Sequence, residues 1–548
     1  MKTMKNVNSF ILLFILLIPF FSFGQVPLFE RQAEDVTEVN KRLKSKEKFK
    51  QIKKVKLHKE ALQNNEMLID LLDIENVVIT KQELISNSGN SFTWHGKIGN
   101  NGNGYFTLYD GKLSGKVQYK NKTYLILPHD EGSSFAVELE TMTGNEPTPP
   151  VPPSRPAEAN TLSSGTDCKA RILFAYTPAA KSKILSSGYS DLSHYFYDCI
   201  ASINQSFINS DVYHRVELGA VVRVTDYTER DINSDLSFFT HNSSWTIGGE
   251  QDVYMNYIPN LKEKYSSDLG FMVADYSSFV IGLAWMNGNF YPDYAYGVID
   301  ADYGTLDVTS HEMGHLHGIE HDQAHANTTP VAPYAYGNRF LGNSGYHTSI
   351  MYYSYSSNES VNYWTNPDIY YDGVPTGDAT SKDAARTLDE TAQLVANMVS
   401  TPVDLTLSTA EALTDNEIGN ALGKNSITLT TGFEVTGNSE FTGKIDNCSG
   451  GFATLRRAMV ASLNKPADTE STTEVKIYPN PASSNFFIDF AGTNASIKIS
   501  DLTGTVIRTI EGFSSHSMID NKGITTGMYI ISIEVDGNQV STEKLVIR

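Results

Sequence analysis

The chain has 548 residues, which is too long for one hydrophobic core and favours about three or four folded units. Its apolar content of 40% and charged content of 19% are those of a globular protein and exclude wholesale disorder. The formal net charge of −20 argues against nucleic acid as the main partner, because phosphate binding needs a basic surface. Three cysteines leave room for one disulfide bridge and one odd thiol.

The first 24 residues have the pattern of a secretory signal peptide. Lys2 and Lys5 precede an apolar run at residues 11–21, and Ser22-Phe23-Gly24 ends it with small residues. The run is too short to span a bilayer, although a short N-terminal anchor is the alternative. We therefore predict an exported chain without a transmembrane segment after cleavage, in a compartment where a disulfide can persist.

Residues 25–146 begin with a basic segment at 35–60 and continue as short strands. Residues 161–400 carry 28 acidic and 12 basic side chains, a balance of −16, so an acidic partner for the basic segment exists within the same chain. Three alternating runs, at 105–109, 113–119 and 123–127, are separated by turn residues and predict an antiparallel meander. We expect a mainly β domain here.

A proline-rich linker at 147–164 marks a domain boundary, since Glu146–Pro156 contains six prolines in eleven residues. An α/β pattern follows, and we assign residues 165–401 to one domain. Its predicted elements are strands at 171–176, 216–224 and 269–274, and helices at 191–208, around 253–261 and at 382–398. Thr- and Gly-punctuated strands then predict a short β module at 402–460, a linker at 461–474 and an all-β domain at 475–548.

The motif that carries chemistry is His311-Glu-Met-Gly-His315-Leu-His-Gly318-Ile-Glu-His321-Asp322. His311 and His315 are four residues apart, so on a helix both imidazoles project from one face. A turn at Gly318 would bring His321 back to the same ion. Three neutral nitrogens at about 2.0–2.1 Å leave a fourth position for water, as in a catalytic zinc site. Glu312 is placed to take the proton of that water.

The helix that carries this motif also has candidate boundary residues. Thr305 is the predicted N-terminal cap, and Asp307 suits the positive end of the helix dipole. Gly318 suits the left-handed turn that ends a helix.

The motif resembles the signature of the metzincin zinc metallopeptidases. In that family a methionine turn lies beneath the zinc, and Ser349-Ile350-Met351-Tyr352-Tyr353 stands at a plausible distance, with Met351 as the candidate. In astacin- and serralysin-type members a tyrosine two residues later approaches the zinc. Tyr353 matches that position, but reprolysin-like members lack the tyrosine, and simple packing of Tyr353 stays an open alternative.

The similarity is to the reprolysin-like group that includes bacterial peptidyl-Asp metallopeptidases, and it covers roughly residues 165–400. It implies a twisted mixed sheet with a zinc-binding helix and an edge strand to which substrate adds as an extra strand. Leu283 and Ala284 are the candidates for that edge, although a buried central strand is the alternative. The segments that carry the similarity are 172–180, 203–206, 282–285, 321–322 and 365–368.

For the other candidate residues, an interpretation without metal binding is favoured. We expect His317 and His325 to be solvent-exposed, since their offsets do not face the ion. Cys168 and Cys199 flank the first strand and helix, and a disulfide between them is favoured over a zinc-capping role for Cys168. Acidic pairs such as Asp300 and Asp302 are compatible with calcium, but a solvated loop is favoured.

The flanking segments resemble parts of an export pathway. Segment 25–146 is similar in its tail to propeptides of this protease group, which implies a folding or latency role and cleavage near Arg155. Residues 475–548, from Val475-Lys476-Ile477-Tyr478-Pro479-Asn480-Pro481 onwards, resemble the C-terminal sorting domain of type IX secretion cargo, a small β-sandwich. That resemblance implies export through the outer membrane of a Gram-negative bacterium, with the secretion machinery as partner.

The predicted function is hydrolysis of peptide bonds by a secreted endopeptidase with one catalytic Zn²⁺. A surface adhesin built on an inactive protease scaffold is the alternative. Decayed zinc-protease domains commonly lose the glutamate or a histidine, whereas His311, Glu312, His315 and His321 are all present here.

Overall fold

The computed structural model divides the chain into two compact units, residues 1–464 and 465–548. In the first unit it describes residues 27–31, 48–87, 91–145, 147–153, 169–224, 227–240, 257–276, 280–357 and 359–446. In the second unit it describes 476–478, 482, 485–489, 495–501, 505–514, 517–535 and 538–547. The predicted signal peptide and the cleavage region near Arg155 lie outside these ranges.

The N-terminal domain is a curled antiparallel sheet, which we call the barrel. Its nine strands lie in the order β1-β2-β9-β8-β7-β6-β5-β4-β3, and a hydrogen bond of 2.9 Å from Leu28 N to Leu68 O joins the two ends. Trp94, Phe106 and Ile126 are among the fully buried side chains inside it. The strands are β1 (Phe29–Arg31), β2 (Phe49–Leu57), β3 (Glu66–Leu71), β4 (Ile74–Ser86), β5 (Phe92–Ile98), β6 (Gly102–Tyr109), β7 (Lys112–Tyr119), β8 (Lys122–Asp130) and β9 (Ser133–Leu139).

The central domain is built on a seven-stranded mixed sheet in the order β14-β15-β13-β11-β12-β22-β24. Strand β11 is wholly buried and pairs in parallel with β12 and β13, while β14 is an antiparallel edge strand. The strands are β10 (Thr143–Asn145), β11 (Ala170–Tyr176), β12 (Val216–Arg223), β13 (Leu269–Ala274), β14 (Gly282–Ala284), β15 (Tyr296–Asp300), β16 (Arg339–Leu341), β17 (Tyr346–Thr348), β18 (Ser354–Ser356), β19 (Tyr370–Tyr371), β20 (Val374–Pro375), β21 (Asp404–Leu407), β22 (Ile418–Gly423), β23 (Ser426–Leu429) and β24 (Glu440–Ile445).

In the described part of the central domain, six helices pack around this sheet. The predicted long helix is confirmed as α2, which Asp191 caps by accepting a hydrogen bond of 3.1 Å from His194 N. The helices are α1 (Pro178–Ser186), α2 (Leu192–Asn209), α3 (Ile232–Phe239), α4 (Tyr257–Lys264), α5 (Thr309–Leu316) and α6 (Ala384–Val395). Short 3₁₀ turns lie at Lys59–Gln63, Pro292–Tyr294 and Thr409–Glu411, and a π-helical turn at Gly304–Val308 leads into α5.

The barrel packs against α2, and polar and charged groups are buried between them. Lys116 Nζ of β7 lies 2.6 Å from Asp307 Oδ1, and the two side chains are 1% and 5% exposed. Lys48, from the basic segment, pairs with Asp302 of the central domain. Lys54 and Lys56 of the same segment instead pair with acids of the barrel itself. Among the described lysines of the basic segment, Lys48 therefore contacts the central domain, whereas Lys54 and Lys56 contact the barrel.

Residues 404–446, expected to form a separate β module, instead extend the central sheet. Strand β22 pairs antiparallel with β12, and β24 pairs in parallel with β22. Side chains of Leu405, Leu413 and Ile418 join the same hydrophobic core as the central strands. Strands β12 and β22 are far apart in sequence, so local patterning gave no sign of this pairing.

The C-terminal unit contains two antiparallel sheets, in the orders β25-β26-β29 and β28-β27-β30-β31. Phe486 and Ile488 of one sheet share a buried core with Ile497 and Ile531 of the other. The strands are β25 (Lys476–Tyr478), β26 (Asn485–Asp489), β27 (Ala495–Ser500), β28 (Val506–Phe513), β29 (Ser517–Asp520), β30 (Gly527–Val535) and β31 (Asn538–Ile547). Across the described part of the chain, no helix has the length and apolarity needed to cross a bilayer.

Candidate metal centre

Helix α5 carries His311 and His315 and begins differently from the sequence prediction. Its N-terminal cap is Val308, and Thr305 lies inside the preceding π-helical turn, where it caps nothing. Asp307 has a left-handed backbone (φ 74°) and accepts hydrogen bonds from Lys116 Nζ and from Ser202 Oγ at 2.8 Å. The carboxylate therefore binds the barrel and α2 instead of serving as a free charge at the helix terminus.

Helix α5 ends at Leu316, and Gly318 makes the left-handed turn that follows it, as the sequence predicts. Gly318 has φ 77°, and a Cβ built there would lie 2.8 Å from Gly288 Cα and from Val331 Cβ. Both the backbone angle and the lack of space favour glycine. After this turn the chain brings His321 back beside the two histidines of α5.

His311, His315 and His321 form a triangle of nitrogens. The Nε2 atoms of His311 and His315 are 3.2 Å apart, those of His315 and His321 are 3.2 Å apart, and those of His321 and His311 are 3.1 Å apart. The three residues are at most 4% exposed. Among the described residues, these three form the group of histidine, cysteine or acidic side chains whose ligand atoms lie close enough together, within 4.8 Å of one another, to hold one metal ion.

The other ring nitrogens fix the tautomers of the two helical histidines. His311 Nδ1 lies 2.6 Å from Ile350 O and His315 Nδ1 lies 2.9 Å from Ile319 O, so each Nδ1–H donates to a carbonyl. The Nε2 lone pairs are left pointing at one another. Burial lowers the pKa of His311 to about 4, and burial together with the neighbouring imidazoles lowers the pKa of His315 well below its ordinary value.

This donor set fits a zinc ion. Tetrahedral geometry with zinc–nitrogen bonds of about 2.0–2.1 Å requires nitrogens about 3.3–3.4 Å apart, close to the spacing of the three Nε2 atoms. Neutral imidazoles are also the protonation state that metal ligation needs. Three protein nitrogens leave one tetrahedral position open, which is the pattern of catalytic rather than structural sites.

Glu312 lies directly after the first histidine of the triangle and is 1% exposed. Its carboxylate reaches the edge strand β14, because a Cβ built on Gly282 would lie 2.3 Å from Glu312 Oε1. Glycine at position 282 therefore makes the space that this carboxylate occupies. Sequence reasoning missed Gly282, although a glycine inside a strand is a known sign of a close approach.

Met351 packs against α5 at Gly314. A Cβ built on Gly314 would lie 2.3 Å from Met351 Sδ, so the methionine packs directly on the middle of α5. Met351 is 1% exposed, and Trp364 packs beside it. Gly314 was also missed as a packing residue, although a glycine in a helix interior costs about 1 kcal/mol and suggests a packing reason.

Tyr353 and His325 stack on each other near the third histidine. Their ring centroids are 3.5 Å apart with an interplanar angle of 21°. His325 Nδ1 lies 2.8 Å from Asp322 Oδ2, and the side chain of His325 is 39% exposed, as expected from its offset. The stack holds the Tyr353 ring against an imidazole outside the triangle.

Leu283 and Ala284 lie on β14, which is the edge strand of the central sheet. They pair with Val298 and Gly297 of β15, while the two side chains are buried. A small cavity beside His311 is lined by Val308, Ser349, Ile350, Tyr352, Ser354 and Tyr355. This cavity lies between the start of α5 and the segment that contains Met351.

The expectation that His317 is exposed is wrong. Its side chain is 2% exposed, and Nδ1 lies 2.7 Å from Thr391 Oγ1 of α6. It does point away from the triangle, but α6 covers that face of α5. Cys199 is buried and free in this structure, and Cys168, its predicted disulfide partner, lies outside the described residues.

The acidic residues considered for calcium surround lysines. Lys183 Nζ lies 3.3 Å from Asp300 Oδ2 and 3.2 Å from Asp302 Oδ2, and Lys48 also pairs with Asp302. Their carboxylates thus already have cationic partners in this structure.

Two protein-family models match segments of this chain. Residues 169–364 match the model described as Metallo-peptidase family M12, and residues 476–548 match the secretion system C-terminal sorting domain.

Curated relatives lie in the same group of enzymes. The chain is 25% identical over 359 residues to a peptidyl-Asp metalloendopeptidase of Xanthomonas campestris pv. campestris, covering 60% of this chain and 80% of that protein. It is 30% identical over 240 residues to a protein of the same name from Stenotrophomonas maltophilia, covering 43% of this chain and only 54% of that relative. A crystal structure of metalloproteinase-II from Bacteroides fragilis is 12% identical, with a TM-score of 0.33 over 56% of this chain and 89% of that one.

Proposed function

Since the chain is a zinc metalloendopeptidase with an M12 domain at residues 169–364 and a type IX secretion sorting domain at its C-terminus, we propose that His311, His315 and His321 hold one catalytic zinc ion. The observation that carries this proposal is the triangle of Nε2 atoms at 3.1–3.2 Å. When bound, zinc supplies a Lewis acid that activates water and polarises a peptide carbonyl.

Glu312 is the proposed general base and acid. Its carboxylate takes a proton from the attacking water and returns it to the nitrogen of the leaving amine. Its position supports this role, because it follows the first histidine on α5 and is almost fully buried between the helix and the edge strand. Exclusion of bulk water strengthens the electrostatic interactions made there.

The edge strand β14 is the proposed substrate platform. An edge strand has unpaired N–H and C=O groups, which match any peptide backbone in extended conformation. Gly282, Leu283 and Ala284 thus align the substrate beside Glu312, and the segment after Met351 walls the pocket for the residue that follows the scissile bond. Met351 supports α5 from below in the manner of a metzincin methionine turn. Contact of Tyr353 with the zinc stays a prediction, since the ring stacks on His325 here.

The proposed location is the cell surface or the medium of a Gram-negative bacterium. The match to the sorting domain at residues 476–548 supports export by type IX secretion, with that machinery as a partner. The signal-like pattern at residues 1–24 supports the first step, transport across the inner membrane.

Metal removal tests the proposal directly. Purified protein is expected to contain one zinc per chain by elemental analysis, because three buried neutral imidazoles converge on one point. A chelator is expected to abolish peptide cleavage, and added zinc to restore it. His325→Ala serves as the matched control and should keep the zinc, since its ring lies outside the triangle. Protein without stoichiometric zinc, or with cleavage unaffected by chelation, would contradict the proposal.

Replacing Gly282 by alanine tests the placement of Glu312. The added methyl would meet Glu312 Oε1 at 2.3 Å and Val308 Cγ1 at 2.8 Å, so the carboxylate must move. Misplacement on this scale is expected to lower kcat/KM by about 10²-fold with zinc content unchanged. Gly288→Ala is the control, because its nearest neighbour would be 3.6 Å away. Equal activity of the two variants would show that Glu312 does not depend on this space.

A further inference from the structure

Glu320 is an acidic residue of the histidine motif to which the proposed mechanism gives no role. Its side chain is 0% exposed and lies between the turn at Gly318 and the third histidine. Glu320 Oε1 accepts a hydrogen bond of 2.8 Å from His321 N. Oε2 accepts one of 3.1 Å from Thr328 N and another from the Thr328 hydroxyl. The carboxylate is therefore held at a fixed place beside His321.

This buried carboxylate forms no ion pair with a lysine or arginine among the described residues. Acidic side chains are rarely fully buried unless they are paired, because loss of hydration disfavours their charge. Two other buried acids follow that rule, since Asp307 pairs with Lys116 and Asp300 with Lys183. The partners of Glu320 are instead backbone N–H groups, a hydroxyl and an imidazole. Compensating positive charge is therefore expected from the metal centre next to it.

One ring nitrogen of His321 faces Glu320 and the other faces the triangle. Glu320 Oε1 lies 3.5 Å from His321 Nδ1, which is the distance of an electrostatic contact rather than of a hydrogen bond. His321 Nε2 lies 3.1 Å from His311 Nε2 and 3.2 Å from His315 Nε2. A negative charge beside Nδ1 favours the proton on that nitrogen and raises the basicity of Nε2 as a metal ligand.

The three imidazoles therefore have different partners at their Nδ1 atoms. His311 Nδ1 and His315 Nδ1 donate to the carbonyl oxygens of Ile350 and Ile319, at 2.6 Å and 2.9 Å. A carbonyl dipole fixes the tautomer but adds no net charge. The carboxylate of Glu320 adds a full negative charge, which offsets part of the charge of a divalent ion held by three neutral ligands.

The backbone at Glu320 keeps the carboxylate in this position. Glu320 N donates to Ala335 O at 3.0 Å, and Gly337 N donates to Glu320 O at 3.3 Å. Gly337 packs in turn against the methionine turn, since a Cβ built there would lie 2.1 Å from Met351 O. These backbone contacts do not involve the carboxylate, so the effect of its charge can be separated from the effect of its position.

We propose that Glu320 is a positioning residue for the metal centre: its negative charge holds His321 as a zinc ligand and stabilises the bound ion. It acts through His321 and not on the substrate. The inference rests on the proposed function, since it requires zinc at His311, His315 and His321.

Glu320→Gln tests the role of the charge. Glutamine has the shape of glutamate and can still accept a hydrogen bond from a backbone N–H, but it is neutral. The zinc dissociation constant of the full chain is expected to rise about 10–100-fold, the usual effect of removing the partner of a metal-binding histidine. Competition with a fluorescent zinc chelator measures this constant without any use of peptide cleavage. An unchanged constant would overturn the inference.

Two further variants separate the charge from structural effects. Thr328→Val removes the hydroxyl hydrogen bond to Glu320 and keeps the carboxylate, so it should bind zinc as the wild type does. Glu359→Gln makes the same change of residue type at an exposed position and should also leave zinc binding unchanged. Equal loss of zinc affinity in Thr328→Val and Glu320→Gln would show that Glu320 only holds the loop, and would overturn the proposed role of its charge.

Zinc-dependent thermal unfolding keeps the test valid if Glu320→Gln is less stable than the wild type. A ligand that binds only the folded chain raises the unfolding temperature by an amount set by its concentration and its dissociation constant. Added zinc should therefore raise the unfolding temperature of Glu320→Gln less than that of the wild type, and an equal rise would contradict the inference.

Peptide cleavage at saturating zinc distinguishes positioning from chemistry. Glu320→Gln loaded with zinc is expected to cleave peptides far faster than Glu312→Gln, because its role ends once the ion is bound. Equal inactivity of the two loaded variants would overturn the positioning role. Wild-type protein that binds no zinc would contradict the proposed function itself.

Discussion

Glu312→Gln is expected to lower kcat/KM by about 10²–10⁴-fold, the contribution of a positioned general base. The amide has the shape of the carboxylate, so it fits the space beside Gly282 but cannot accept the proton of the attacking water. Zinc content should stay at one per chain, since the three imidazoles are unchanged. Cleavage of a proteome-derived peptide library by wild-type and variant protein measures the loss and reports the residue preference of the wild type.

Glu359→Gln is the control for this prediction, because the Glu359 side chain is 38% exposed and pairs with the equally exposed Arg339. It should keep wild-type activity. Wild-type cleavage by Glu312→Gln would remove Glu312 from the mechanism. A processed wild-type protein that binds zinc yet cleaves no peptide would favour the alternative of a binding protein on a protease scaffold.

Lys116→Met is expected to lower the free energy of unfolding of the first unit, residues 1–464, by about 3–5 kcal/mol. This is the cost of leaving one charge of a buried ion pair without its partner. Lys116 and Asp307 are almost fully buried, and Ser202 Oγ also lies 2.9 Å from Lys116 Nζ. Asp307 comes four residues before His311, so the same loss should disturb the start of α5. Denaturant unfolding of the full chain, followed by tryptophan fluorescence, measures the effect.

Two further variants separate this ion pair from general effects of lysine removal. Lys56→Met removes an exposed pair with Glu30, with side chains 52% and 54% exposed, and should leave the free energy of unfolding almost unchanged. Adding Asp307→Asn to Lys116→Met should restore much of the lost stability, because asparagine removes the unpaired charge and tolerates the left-handed backbone. A Lys116→Met chain as stable as the Lys56→Met chain would show that the buried pair does not stabilise the contact.

The sequence predicts the metal centre well because its geometry is local. His311 and His315 share a helical face through their spacing alone, and the turn at Gly318 follows from the need for a left-handed residue. The buried strand at 269–274 and helix α2 are equally local, since their apolar spacing defines them. Elements of this kind require no knowledge of distant partners.

The errors concern residues whose surroundings come from distant segments. His317 was expected to be exposed because its offset faces away from the ion, but α6, more than 60 residues later, covers it. Thr305 suits a helix cap by residue type, yet the backbone at Leu306 and Asp307 is not helical and separates Thr305 from α5, while Asp307 contacts Lys116 of the barrel. The proline-rich stretch has the composition of a spacer, and nothing local in it indicates that Thr148 Oγ1 accepts a hydrogen bond from Asn327 or that Pro150 O accepts one from Met286 N.

The pairing of β22 with β12 bears on how the molecule avoids self-association. Without residues 404–446, the apolar strand β12 would be an open border of the sheet, available to any neighbouring chain. With them, the outermost strand is β24, where the exposed Lys444 places charge along the border. The polypeptide downstream of the M12 match thus keeps other protein chains from pairing with β12. The opposite edge, β14, is the one to which we propose that substrate adds.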